Sequence, residues 1–342
     1  MRAVDRLRAR RESRTAILLY HRVAAAAHDP WGLAVTPANF DAQLEVIQRR
    51  STVLPLSELI AGLQQRKLPR RSTVVTFDDG YADNLLQAEP ILRSRGVPAT
   101  VFVASGFIRE HREFWWDELE QILLGDQPLS PALTLRFGDR EHRWDLSDLR
   151  HEPAYDRARH VSWRSWHPAP SRRQALFLEL WKQLQPLPHA SRRTALDSLA
   201  AWADRPCQPR PSHRPLTTDE LRTLAASPQM DIGAHTITHP QLSVLSDGAQ
   251  RAEISESRRE LEETLGQAVT MFAYPYGGPG DYTQRTVAIT RDSDFSCACS
   301  AAAGPVRAGD DLHELRRCFV PDVGRAEFEV WLDSQIEGAL AR

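Results

Sequence analysis

The chain has 342 residues, 42% of them hydrophobic and 26% charged, with a formal net charge of −2. That balance fits a soluble globular protein with a sizeable core and gives no overall positive field to attract nucleic acid. No apolar run reaches the roughly 18 residues of a membrane-spanning helix.

The chain opens with "MRAVDRLRARRESR", six arginines in 14 residues, read here as a flexible basic segment over 1–14. The apolar stretch behind it, "AILLY", is too short for the core of a signal peptide. The expected location is therefore cytoplasmic, with peripheral contact to an anionic membrane as the other use of the arginines. "AILLY" (16–20) is the first of a series of short β-rich runs without helical periodicity. The others are "TVVTF" (73–77), "ATVFVA" (99–104), "MDIGA" (230–234), "VTMFAY" (269–274), "FSCACS" (295–300) and "LRRCFV" (315–320). Amphipathic helical patterns lie between them: 37–49 with Phe40, Leu44 and Ile47, 84–95 with Leu85, Leu86, Ile91 and Leu92, and 247–265 with Ile254, Leu261 and Leu265. A last helix, 325–341, spaces Phe328, Leu332 and Ile336 four apart.

Strand–helix alternation predicts a parallel α/β sheet. About seven strands, with no dinucleotide-type glycine fingerprint after the first, predict a barrel over 15–342 in place of an open sheet. Residues 111–215 break the rhythm with three helical patterns among proline- and arginine-rich loops, and read as a helical insertion in the barrel. It is either added bulk or a lid and acceptor wall, with Phe114, Trp115 and Trp116 available for stacking. The cysteines at 207, 297, 299 and 318 read as buried thiols; alternation puts Cys297 and Cys299 on one face.

Chemistry is expected at the C-terminal strand ends. "VVTFDDGYADN" (74–84) runs a buried strand directly into Asp78 and Asp79. Adjacent buried carboxylates repel, so the pair needs a cation beside it or a shared proton. "GAHTITHPQLS" (233–243) places His235 and His239 four apart after another strand. The spacing matches the histidines of a metalloprotease helix, but Thr236 follows His235 where that motif has glutamate, and Pro240 argues against a helix. Two imidazoles and the Asp79 carboxylate would make a three-ligand catalytic metal site with open positions. Asp78 could then serve as a base. "MFAYPYGGPGDY" (271–282) offers a cleft wall and backbone donors near Tyr276, and "LLYHRV" (18–23) puts His21 at a strand end.

"TFDDGYADN", "HTITHPQLS" and "AYPYG", in this order, resemble the polysaccharide deacetylase family, also called NodB-like or carbohydrate esterase family 4. The likeness covers 16–106 and 216–322 and leaves the insertion unexplained. It implies a distorted (β/α)7-type barrel and a hydrolase of carbon–nitrogen bonds that removes N-acetyl, sometimes O-acetyl, groups from sugars with one divalent metal ion. Zinc is the expected ion, with cobalt or nickel as alternatives. The resemblance implies Asp78 as general base, Asp79, His235 and His239 as metal ligands, and Pro275, Tyr276 and Gly277 as the substrate groove and oxyanion wall.

Two features depart from the family pattern. Ala273 stands where many members have the arginine that holds the base; Arg317 is the candidate substitute and Arg316 the alternative, since alternation lets one of them point inward. The family's late leucine-x-histidine has no copy near the C-terminus, whereas Leu19-Tyr20-His21 fits it at the N-terminus, as in the branch with that motif moved first. His21 is then the expected general acid. The implied partner is an N-acetylated carbohydrate. An O-acetyl esterase, a small-metabolite amidohydrolase and an inactive glycan-binding barrel are the rival expectations; oligomeric state is not legible.

Overall fold

The β-branched and apolar runs form one nine-stranded sheet among the described residues, which are 13–110, 112–125, 128–138, 140–151, 160–205 and 208–338 of a computed structural model. Its strands are β1 (Arg14–Tyr20), β2 (Thr52–Val53), β3 (Arg71–Phe77), β4 (Ala99–Val103), β5 (Met230–Ala234), β6 (Met271–Ala273), β7 (Cys297–Cys299), β8 (Val306–Arg307) and β9 (Cys318–Phe319). The order is β7-β6-β5-β4-β3-β1-β8, with β2 beside β3 and β9 beside β1. All pairings are parallel except β1 with β8.

The sheet curls back on itself. Leu315 bridges in parallel to Cys299, and four residues later Phe319 pairs with Leu19 of β1. The short segment 315–319 thus carries the ladder from β7 round to β1, giving the expected distorted barrel. Alternate side chains divide between two apolar clusters. Leu18, Tyr20, Val75, Phe77, Val101 and Val103 meet the helix residues Phe40, Leu44, Ile47, Ile254, Leu261, Phe328 and Leu332 outside. Ile17, Val74, Phe102, Met271, Ala273, Cys297 and Cys299 meet inside. Cys297, Cys299 and Cys318 are buried free thiols; Cys207 lies outside the described residues.

Several boundaries differ from expectation. Residues 1–12 of the basic segment lie outside the described residues, but Arg14 already pairs with Arg71 and Arg307 in the sheet. The pattern over 84–95 is two pieces, a π-turn at Asn84–Ala88 and an α-helix at Glu89–Arg95 with Pro90 in its first turn. The helix Leu56–Gln65 escaped notice although Leu56, Leu59, Ile60 and Leu63 line one buried stripe. The strands at 269–274, 295–300 and 315–320 shorten to three, three and two residues.

The chain divides into two compact units. The barrel unit takes 13–25, 34–109 and 216–338; the other takes 26–33 and 110–215. The second unit is not wholly helical. Beside the helices Trp115–Leu124, Arg172–Leu184 and His189–Trp202 it holds an antiparallel hairpin, Ala132–Phe137 with Arg140–Asp145, whose Leu133 and Leu135 are buried and whose Thr134 and Arg136 are exposed. Phe114, Trp115 and Trp116 do not present themselves for stacking. All three are buried: Trp115 packs on Trp181 under the Arg192 guanidinium, and Trp116 stacks on Phe114.

Candidate metal centre and active site

The strand β3 ends at Phe77, and the next two residues turn sharply. Asp78 N–H still donates to Tyr20 carbonyl in the β1 ladder (3.0 Å), and Gly80 N–H donates back to Asp78 carbonyl (2.9 Å). This three-residue γ-turn puts Asp79 at φ 73°, a strained conformation outside glycine. In a straight strand neighbouring side chains diverge; here the turn brings both carboxylates to one imidazole. His235 Nε2 lies 3.9 Å from Asp78 Oδ2 and 3.6 Å from Asp79 Oδ1. Gly80 sits at φ 86°, where a Cβ would come within 3.1 Å of Val103. Only glycine meets both demands cheaply.

His235 leaves β5 with its N–H on Val103 carbonyl (3.0 Å) and its ring Nδ1 2.8 Å from Ala273 carbonyl. A carbonyl only accepts, so Nδ1 carries the proton and Nε2 presents a lone pair to the centre. His239 Nε2 lies 3.4 Å from the same Asp79 oxygen. The ligand atoms of Asp79, His235 and His239 are all within 4.8 Å of one another, and all three residues are buried. Ligands bound to one tetrahedral ion at about 2.0–2.2 Å stand about 3.3–3.6 Å apart. The Asp79–histidine spacings match that requirement, so the donor set fits a divalent metal.

Asp78 is held from the opposite side. Arg317 donates to both of its oxygens, at 2.6 Å each, and its Nε donates to Ser300 carbonyl at 3.0 Å. The guanidinium lies over the Phe102 ring. Arg317 is buried and Arg316 is exposed, so pleat alternation picks Arg317. Burial alone pushes the Asp78 carboxyl up. The Arg317 charge, then His235, outweigh it and hold the group below the ordinary carboxylate range. Burial likewise lowers His235 below the ordinary histidine value against the pull of Asp78, which keeps its lone pair available.

His21 follows β1 on the same rim, within electrostatic reach of Asp78, Arg317 and His235, with its ring beside Phe319. Its Nδ1 is buried without a hydrogen-bond partner among the described residues. Burial pushes its pKa down to about 4, with Arg317 and His235 adding to the shift and Asp78 opposing it. The resting imidazole is therefore neutral at pH 7, not the imidazolium that a ready proton donor would be.

Tyr276 (φ 60°) sits in a second γ-turn, closed by Gly277 N–H on Pro275 carbonyl, and its ring packs edge-on against His239 at 4.6 Å. Gly277 N–H is thus engaged with Pro275 carbonyl in this conformation. A Cβ on Gly277 would stand 2.6 Å from Ala301 N, so this position lets two backbones meet.

Sequence reasoning missed the residues that hold His21. Asn84 donates to His21 carbonyl (2.8 Å), and Asp83 accepts from Val23 N–H (3.1 Å) and from Arg22 Nε (3.0 Å). The Arg22 guanidinium also lies over Tyr81. Tyr81, Asp83 and Asn84 belong to the same "TFDDGYADN" as the two aspartates. Their polarity beside a buried strand was the available signal.

Residues 65–126 and 199–298 match the family model for polysaccharide deacetylase. Among curated proteins, YxkH of Bacillus subtilis (strain 168), a polysaccharide deacetylase by name, is 26% identical over 108 residues. That match spans 31% of this chain and 37% of the relative, little over a third of its length. The Streptococcus pyogenes deacetylase PplD, solved in complex with acetate, aligns over 94% of this chain and 98% of its own with a TM-score of 0.58 at 18% identity. IcaB from Ammonifex degensii aligns over 94% and 97% with a TM-score of 0.57, also at 18% identity. At such identity these structures speak for the fold alone, which is shared along nearly the whole chain. The motifs gathered on one rim of the barrel, with the family-model match over residues 65–126 and 199–298, identify a polysaccharide deacetylase domain in this chain.

Proposed function

We propose that this chain is a metal-dependent deacetylase that hydrolyses the N-acetyl group of an amino sugar in a glycan, glycolipid or sugar conjugate. The observation that carries the reading is the convergence of Asp79, His235 and His239 beside Asp78, a second carboxylate gripped by a buried arginine. Two imidazoles and a carboxylate suit zinc, with cobalt or nickel next. When bound there, the ion would polarise the acetyl carbonyl and acidify a water molecule.

The chain's own residues supply the rest. Asp78 takes the proton of the attacking water. Held low by Arg317, it is always ionised near neutrality but weakly basic, so it depends on the water being acidified. Arg317 fixes the angle of the carboxylate. Tyr276 and Pro275 form the wall against which the acetyl group lies. His21 faces the leaving amine and delivers its proton. Because His21 rests neutral, that proton has to enter with the reaction, and the one removed from water by Asp78 is available for it. The same neutrality favours a second reading, an O-acetyl esterase, because an alkoxide leaves with less help than an amine.

The test is acetate release from a panel of N-acetylated and O-acetylated sugars, before and after chelation and again after adding back zinc. The reading expects release from an N-acetylated sugar that chelation abolishes and zinc restores. Release confined to O-acetyl substrates would select the esterase, and release indifferent to chelation would overturn the metal reading.

A further inference from the structure

The turn that carries both histidines is braced from outside by one carboxylate. Glu253, on the helix Asp247–Leu265, accepts from Ile237 N–H and Thr238 N–H, both at 2.9 Å, and from the Thr238 hydroxyl at 2.7 Å. The turn needs bracing. Thr236 and His239 sit at φ 66° and 51°, left-handed conformations that persist outside glycine only when surroundings enforce them. On its other side the turn is already secured: Ser105 N–H donates to Thr236 carbonyl (3.0 Å) and Gly106 N–H to Ile237 carbonyl (2.9 Å). Within the turn, His239 N–H donates to the Thr236 hydroxyl (3.1 Å). Glu253 takes the donors that remain in the middle. An ionised carboxylate has room for three donors at once.

We propose that Glu253 is a positioning residue for the metal centre, fixing the 236–239 turn so that His239 Nε2 stays opposite Asp79. This rests on the metal reading above. Glu253 bonds to neither histidine side chain, so its influence passes through the backbone of the turn. It therefore governs how well a metal is held, beyond whatever it contributes to folding. Glu260 is the natural comparator: it lies two turns further along the same helix and accepts from the Ser105 hydroxyl at 2.6 Å, but among the described residues makes no hydrogen bond to the turn.

The experiment titrates metal-free wild type, E253A, E253Q, E260A and H239A with Zn²⁺ against a competing chelator, and records the visible spectrum of each with Co²⁺. Loss of an outer positioning group costs about 10–100-fold in metal affinity. E253A is expected to bind zinc at least tenfold more weakly and to change the Co²⁺ bands. E253Q should stay within about threefold of wild type, because its amide oxygen still takes both backbone N–H groups. E260A should match wild type even where its thermal midpoint falls as far as that of E253A. Zinc affinity of E253A within threefold of wild type overturns the proposal. Should E253A not fold, E253D decides: its shortened reach should weaken zinc at least threefold, and wild-type affinity overturns the inference. H239A separates the two levels. Unchanged zinc binding in H239A sinks the metal reading itself, whereas loss in H239A with none in E253A sinks this inference alone.

Discussion

Both units of the molecule bury acidic side chains, but they answer them differently. In the unit of 26–33 and 110–215, Glu113 is met by Arg210, and Glu118 by Arg112 and Arg193. Those arginines pair the acids within a scaffold. In the barrel unit, Asp78 also has its arginine, but Asp79 faces the Nε2 atoms of two histidines. An imidazole has a lone pair to offer a metal ion, and a guanidinium group has none. Buried acidity alone therefore does not mark a site; the kind of partner does.

The sharpest way to break that comparison is to remove one acid from each unit. D78N should lower acetate release about 10²–10⁴-fold, the usual reach of a general base, with metal content near wild type. H235A should lose both metal and activity. E118Q should change acetate release less than twofold. Comparable losses from D78N and E118Q would erase the distinction drawn here.

Next in size is Arg317. R317M strands a buried carboxylate, at a cost of about 3–5 kcal/mol by chemical denaturation unless Asp78 takes up a proton instead. The acid limb of kcat/KM should then move to higher pH, because the charge that holds Asp78 low is gone. An unmoved limb would mean that Arg317 does not tune the base.

The smallest effects are in stability against pH, and the two units should carry opposite signs. His21 has a folded pKa near 4 against an ordinary value of 6.5, so the unfolded chain binds the proton more readily. Its contribution is full above about pH 6.5 and is lost as pH falls toward 4. H21N should flatten that loss. Glu118 is pushed by burial up to about 7, against Arg112, from an ordinary value of 4.5. Its contribution is full below about pH 4.5 and is lost as pH rises through 7, and E118Q should flatten that rise-side loss. Denaturant midpoints from pH 4 to 8 check both; same-sign slopes would contradict the assignments.

Much of the barrel rim could be read from the chain, because each ligand sits where a β-rich run stops and a short polar motif begins. The two-residue pleat says only that one of Arg316 and Arg317 points inward; the burial of Arg317 makes the choice. What the chain hid was held by ordinary-looking residues. Asn84 and Asp83 anchor the His21 segment, marked only by their polarity beside a buried strand, and Glu253 anchors the turn of His235 and His239, where a glutamate on a charged helix carries no distinguishing mark. The hairpin strand Ala132–Phe137 did alternate, yet it lay among helical patterns that set the reading of the whole region. Trp115 and Trp116 misled for a related reason: aromatic rings that suit sugars suit a core equally well.

The most direct test of the account is a crystal structure of the zinc-loaded protein with anomalous scattering. The account predicts one strong peak at about 2.0–2.2 Å from Asp79, His235 and His239 together, with Asp78 still paired to Arg317. A zinc peak elsewhere, or one that touches only one of the three side chains, would contradict it.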